Sequence, residues 1–501
     1  MKKNYNLLAV FILAVIFTVL FYKKGIGLNI FIFESVLILW LLITKQICIH
    51  YKNIFLYGSG LIITSLFTFL TFSLYSFIIN FLVLFVFVGV LIYPQAKSVL
   101  CSFSLSFRNL FCSQVKFVNE LSRLNIKGIS LGKLVGRLSV FIIPLIIVII
   151  FTIIYRNSNP HFEELLLNIG DFLYKIFDFV FKDIDFLLFI TFLFGLFFSN
   201  FFLFRSPNPK IEGYDLSASY ELNRKKNRTT NVFRNTSLKR EYRAGVFLLV
   251  TLNVILLVFN TIDINSVWIS FIWEGQSLKE FVHKGTYSLI ISILISICIV
   301  LYFFRGSINF LSKNKFLKYL SYFWLFQNGI LTISVAIRNV YYINYFSLAY
   351  RRIGLAIFLI LTIYGLYSVY LKVKHKKSAF YLIKTNLVAL YIALVLSSTI
   401  NWDSFIAKFN FNKYDKSYLH LNFLVTLSDK SLPHLDMKLS ELIKIDSIQK
   451  EIFPFIKNTM PPEEYHMIIE NRKQAFIMKW ESKKIISWNL PEYLAYKKLK
   501  E

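Results

Sequence analysis

Apolar positions fall into eleven continuous runs, at about residues 6–22, 28–44, 54–72, 77–93, 138–155, 186–204, 244–260, 285–304, 317–337, 353–371 and 382–400. Each run is long enough to cross about 30 Å of hydrocarbon. In lipid the backbone polar groups have to be satisfied within the segment, so each run predicts a helix. The expected fold class is therefore all-α: a polytopic helical membrane bundle of about eleven transmembrane helices over residues 1–400, with the lipid bilayer as its solvent.

After Asn401 the pattern changes. Charge density rises and apolar positions become periodic instead of continuous. Pro461-Pro462-Glu463-Glu464 opens a helix running to about Trp480, with prolines at its start and acids in its first turn. Segments 403–411, 417–428, 437–450 and 490–500 also predict helices, giving a small soluble helical domain over 401–501. Within the first part, residues 161–183 place Glu164, Asn168, Asp171, Lys175, Asp178 and Lys182 on one helical face, opposite Phe172, Leu173, Ile176, Phe177 and Val180. This reads as a helix lying in the membrane interface, or equally as a packing helix over the bundle.

Composition agrees with the pattern: 56% of residues are hydrophobic, 54 are Phe, and only 17% are charged. A soluble domain built this way would expose far too much apolar surface. The net charge of +28 brings nucleic acid to mind, but placement decides. With the N-terminus in the cytoplasm, the cytoplasmic connections carry roughly +25 and the outer ones roughly +4. The basic residues are thus topogenic flanks, and nucleic acid is removed as a partner. The odd span count places the C-terminal domain outside the bacterial cytoplasmic (inner) membrane. Met1-Lys2-Lys3 and the following apolar run resemble a signal peptide, but Lys23-Lys24 follow with no small-residue cleavage site, so a retained first helix is expected.

Few chemical signatures are present. Gly128-Ile129-Ser130-Leu131-Gly132-Lys133 has three residues between its glycines where a phosphate loop needs four, and Leu134 stands where Ser or Thr would hold magnesium. The seven histidines are scattered, and the four cysteines form no Cys-x-x-Cys pair, so no metal, cofactor or disulfide framework is expected. Gly58-Ser59-Gly60 has no intramembrane His partner, and the first outer loop, residues 22–27, has no acid for a lipid-linked glycosyl transfer. No catalytic residue is assigned.

What remains are polar residues at membrane depth. Glu34 lies about two turns inside the second span; it would carry protons, bind a cation or pair with a buried arginine, against a slightly favoured purely structural role. In the ninth span Gln327, Ser334 and Arg338 share a face, with Asn328, Thr332 and Asn339 beside them. Such a stripe lines a polar pathway or, by about two to one, supplies ordinary interhelical hydrogen bonds. Arg338, Arg351 and Arg352 stand on the wrong side for the charge rule. The expectation is that they bind an anionic lipid head group or phosphate, or pair with acids such as Glu34 or those of 161–185.

Several motifs resemble one family. Glu280-Phe281-Val282-His283-Lys284-Gly285-Thr286-Tyr287 matches its aromatic, His or Arg, then Gly before a span. Tyr342–Arg352, with Tyr345, Leu348 and Arg352, is similar to a Tyr-Gly-Leu-Thr-x-x-Arg block, with Ser347 where Gly is usual and Ala349 where Thr is usual. Phe405–Asn410 resembles Ile-Ala-Arg-Tyr-Asn, ending on Asn410. Leu427–Leu435 resembles Leu-Ser-x-Asp-Ala-x-Pro-x-Leu, through Asp429 and Pro433, and Trp488-Asn489-Leu490 with Ala495 fits its ending. The chain is identified over residues 200–501 as resembling bacterial multi-pass membrane proteins of domain of unknown function 4153/4173. The resemblance implies the architecture and no activity. The expectation is a non-enzymatic envelope scaffold, sensor or interaction protein, with an envelope protein or anionic lipid as candidate partner. The alternative is a transporter or lipid-handling protein with a polar intramembrane pathway. A membrane enzyme acting on lipid-linked substrates is the least favoured.

Overall fold

The computed structural model describes residues 2–47, 51–123, 125–126, 129–130, 148, 151–153, 155–180, 185–224, 232–270, 275–311, 313–454, 456, 460–483 and 487–501. Apart from a two-residue antiparallel pair, Asn125–Ile126 with Ile129–Ser130, its regular structure is helical. The long helices are α1 (Lys2–Phe21), α2 (Leu28–Ile43), α3 (Lys52–Thr71), α4 (Leu74–Ile92), α5 (Val99–Ser122), α6 (Pro160–Val180), α7 (Phe186–Leu203), α8 (Pro209–Ser217), α9 (Val232–Asp263), α10 (Gly275–Phe303), α11 (Lys315–Phe346), α12 (Tyr350–Lys374) and α13 (Ala379–Ser398). Then follow α14 (Trp402–Phe411), α15 (Leu439–Ile452), α16 (Pro462–Glu481) and α17 (Leu490–Lys500).

Eight helices among the described residues are long and apolar enough to cross a membrane, and the apolar parts of α1 and α2 are shorter. Their outward faces carry large apolar side chains, such as Phe247 at 75% exposure and Ile360 at 68%. That surface fits lipid, since a water-soluble chain would bury it. The protein is therefore a multi-pass membrane protein. The expected span 138–155 lies almost wholly outside the described residues.

Three apolar cores organise the helices. The first joins α1–α5, α7 and α13 around Leu13, Leu37, Leu61, Phe87, Phe201 and Tyr391. The second joins α9–α12 around Leu249, Ile293, Leu317, Trp324 and Val373. The third holds α14–α17 around Ile406, Leu424, Leu432, Tyr465 and Ala495, and it takes in Leu348 from the α11–α12 connection. The start of α1 and the C-terminal helices sit at opposite ends of the bundle: Asn6 meets Gln46 at one end, while Leu28 N–H donates to the Trp488 carbonyl at the other.

Two differences from the sequence pattern have physical reasons. Helix α5 occupies what reads as a basic loop. It turns Ser102, Ser106, Asn109 and Ser113 inward and leaves Leu100, Phe103, Phe107, Phe111 and Val115 exposed. The small inward face allows a close approach, and a Cβ on Gly89 of α4 would collide with the Ser102 backbone. Ser106 donates to the Phe85 carbonyl and Asn109 to the Phe201 carbonyl at 2.9 Å. Segment 417–428, expected as one helix, forms only a single helical turn at Leu421–Leu424. Its first residues spend their backbone elsewhere: Tyr418 N–H on Tyr345 O at 2.7 Å and Leu419 N–H on Gln449 Oε1 at 2.8 Å. Residues 160–180, on the other hand, are helical as their periodicity predicts.

Candidate functional site

The polar stripe of α11 meets a matching stripe on α9. Gln327 Nε2 donates to Asn253 Oδ1 at 2.7 Å, and Asn253 Nδ2 donates to the Leu320 carbonyl at 3.1 Å. Asn260 Nδ2 donates to the Gln327 carbonyl at 3.2 Å. At the end of the seam Ser334 and Arg338 both donate to Asp263, the last residue of α9 before a π-helical turn at Ile264–Ile269. Arg338 and Asp263 are 4% and 5% exposed, so this is a buried ion pair. Gly285 of α10 leaves room for it: a Cβ there would lie 2.9 Å from Arg338 Nη1. His283 lies on the same helix two residues earlier in the chain. Asn328 donates back to the Trp324 carbonyl, and Asn339 donates to the Arg352 carbonyl at 3.1 Å. With a helical rise of 1.5 Å per residue, the seam from Leu320 to Arg338 is about 27 Å long. It runs nearly the depth of a bilayer's hydrocarbon.

Glu34 belongs to a separate cluster in the first core. Asn80 Nδ2 of α4 donates to Glu34 Oε1 at 2.8 Å, and Thr64 Oγ1 of α3 donates to Asn80 Oδ1 at 2.8 Å. The second Glu34 carboxyl oxygen is buried with no hydrogen-bond partner among the described residues. Glu34 and the arginines thus sit on different helices in different cores, and they do not converge.

The Tyr342–Arg352 stretch instead forms a joint with the C-terminal helices. Asn410 of α14 accepts from Leu348 N–H at 2.8 Å and donates to Leu348 O at 3.0 Å, closing both backbone groups with one side chain. Ser347, at φ 65° and ψ −174°, occupies backbone space that favours glycine. Its hydroxyl meets Ser417 Oγ and Tyr418 O, each at 2.9 Å. Arg352 donates to the Phe346 carbonyl at 2.6 Å and to Ser347 O, and its guanidinium lies 4.5 Å over the Tyr342 ring. Tyr345 packs edge-on against Phe453 with centroids 5.2 Å apart. Asp429 pairs with Arg472, and Pro433 sits in the first turn of the short helix Leu432–Leu435. Arg351 is exposed on the first turn of α12.

Beside this joint is a cleft of about 550 Å³, walled by the α3–α4 turn, the first turns of α12 and the start of α14. Its polar centre is Asp403, which accepts from Tyr350 and Ser428 and lies 2.8 Å from Lys430 Nζ. Lys430 is 1% exposed and also donates to the carbonyls of Thr71 and Phe72, at 2.9 and 3.0 Å. Burial pushes the Lys430 ammonium below its ordinary value, against the pull of Asp403. A second groove, about 420 Å³ between α11 and α12, is lined mainly by apolar residues including Leu325, Ile333 and Tyr367.

Sequence reasoning did not find Asp263, Asn80, Asp403 or Lys430. Asp263 sits at the edge of an apolar run and so counts as loop. The Asp403–Lys430 pair joins two segments whose proximity no local pattern encodes.

A family model described as Domain of unknown function (DUF4153) matches residues 58–437. The match starts far upstream of residue 200 and contains the whole seam and the Asn410–Leu348 clamp, while the Trp488–Ala495 ending lies beyond it. No curated protein and no solved structure matches the chain.

Proposed function

The chain belongs to the DUF4153 family, and on that premise we propose that it is a non-enzymatic scaffold or interaction protein of the bacterial cytoplasmic membrane. Its N-terminus is cytoplasmic, and residues 401–501 form a helical domain presented on the outer face. The observation that carries this reading is the Asn410 clamp on Leu348. It makes the C-terminal helices a fixed extension of the bundle, and the family-like residues Tyr345, Leu348, Arg352 and Asn410 are all spent on that junction. The seam residues support the same view, because Gln327, Ser334 and Arg338 bind the neighbouring helix α9.

A transport role keeps one supporting observation, the unpartnered buried oxygen of Glu34. Complementation of a deletion strain separates the two. Under the scaffold role, Asn410→Ala or removal of residues 401–501 abolishes complementation while Glu34→Gln preserves it. Loss with Glu34→Gln and retention with Asn410→Ala contradicts it. A reporter fused after residue 501 that is active only in the cytoplasm contradicts the orientation.

A further inference from the structure

The side chains of the joint cleft offer hydrogen-bond acceptors, and their own donors are spent on the protein. At about 550 Å³ it is in the size range of small-molecule sites. Among the described residues, six side chains that carry donors line it, and each of those side-chain donors is already engaged. Tyr350 and Ser428 donate to Asp403, Trp402 Nε1 to the Ser397 carbonyl at 2.9 Å, and Thr426 to the Phe423 carbonyl at 2.6 Å. Ser73 Oγ donates to Ser76 Oγ. Tyr75 gives its proton to Ser397 Oγ, since Ser397 spends its own on the Leu394 carbonyl.

Among the described residues, Asp403 is the only charged one lining the cleft, and its countercharge, Lys430, is sealed behind it. A phosphate or carboxylate entering here would meet the Asp403 carboxylate and, among the described residues, no uncommitted side-chain donor, which favours an uncharged head over an anionic one. A cationic head would meet an acid that is already neutralised, with the Lys430 ammonium next to it. An uncharged head carrying several hydroxyls fits: it donates to the remaining lone pairs of Asp403, Tyr350 and Ser428. The aromatic walls, Trp402, Tyr350, Tyr75 and Phe72, suit the C–H face of a sugar ring, which packs as an apolar surface while its rim hydroxyls hydrogen-bond. The remaining wall is hydrocarbon. Ile353, Gly354 and Ile357 lie on the first turns of α12, itself long and apolar enough to cross the membrane, so a tail leaving the cleft continues along lipid-facing helix.

We propose that this cleft binds a glycosylated lipid, an uncharged sugar head on a hydrocarbon tail. The site extends beyond the scaffold role and does not depend on it.

Gly354 supplies the test, because a Cβ added there meets nothing within 4 Å and a larger side chain grows into the cleft. Full-length protein is placed in nanodiscs containing phosphatidylglycerol and a minority of monoglucosyl-diacylglycerol, and retained lipid is counted by native mass spectrometry. Wild type is expected to retain the glucosyl lipid in preference to phosphatidylglycerol by at least about tenfold. Gly354→Leu removes that preference, while Gly329→Leu, in the separate α11–α12 groove and likewise open at its Cβ, keeps it. Diacylglycerol, with a single hydroxyl and no ring, is retained less than its glucosylated form. A further arm uses wild type alone: an alkyl glucoside displaces the retained lipid and an alkyl phosphocholine does not. Preferential retention of phosphatidylglycerol, equal retention of diacylglycerol, or unchanged retention in Gly354→Leu overturns the assignment.

Discussion

Asn410 and Leu348 meet as two strands of a sheet would, one side-chain amide closing both backbone groups of a residue 62 positions away in sequence. Leu348 is buried in the core of the C-terminal helices, so neither backbone group has water to fall back on. Removing the amide with Asn410→Ala strands both and is expected to cost about 2–4 kcal/mol. Limited proteolysis of the detergent-solubilised protein checks this. Cleavage after residue 400 should accelerate in the variant, while the bundle helices stay protected.

Ser347 holds the turn beside that clamp in backbone space where glycine is at ease. Such a conformation costs of order 1–3 kcal/mol for other residues. Ser347→Gly relieves that cost but gives up the contacts to Ser417 and Tyr418, so its melting temperature should equal or slightly exceed wild type. Ser347→Val keeps the strain, adds β-branching and loses the hydroxyl; a clear drop in melting temperature is expected. A Val variant as stable as Gly would contradict the backbone assignment.

The buried pair of Arg338 and Asp263 behaves differently from a surface ion pair. Removing one partner breaks a buried, hydrogen-bonded charge pair, at a cost of about 3–5 kcal/mol. Asp263→Leu alone should therefore greatly reduce folded yield, measured by size-exclusion chromatography of the solubilised protein. Combining it with Arg338→Met should recover much of the loss, because both members of the pair are then apolar. A double variant as poor as the single one would show that the pair does more than satisfy itself.

Much of the architecture is legible in the sequence because lipid imposes a length rule. A run such as 382–400 has one stable solution at membrane depth, and α13 occupies it at Ala379–Ser398. Helix α5 was hidden for the opposite reason. Its Ser and Asn residues face inward and its Phe residues outward, so counting apolar length treats a packed helix as a basic loop. The polar stripe of α11 was visible from helical spacing, but its partner Asp263 was not, since contact between α9 and α11 is a property of packing. The Tyr342–Arg352 and Phe405–Asn410 motifs could be seen as separate blocks. Only the fold shows that Asn410 closes on Leu348.

His434 gives the C-terminal helices a pH dependence. Burial, with Lys498 and Lys408 adding, holds its imidazole below the ordinary histidine value. The unfolded segment then binds the proton more readily than the folded one. Stability is full above about pH 6.5 and falls as pH drops below it toward the folded value. Melting followed between mildly alkaline and mildly acidic pH should show that decline in wild type and a shallower one in His434→Gln. An equal slope in both would assign the titration elsewhere.

Hydrogen–deuterium exchange of the Leu348 amide in nanodisc-embedded protein tests the fixed junction most directly. In wild type, peptides covering 345–352 and 417–420 should exchange slowly. In Asn410→Ala both should lose protection together while the α11 seam keeps its own. Fast exchange of the Leu348 amide in wild type would contradict a C-terminal segment held rigidly on the bundle.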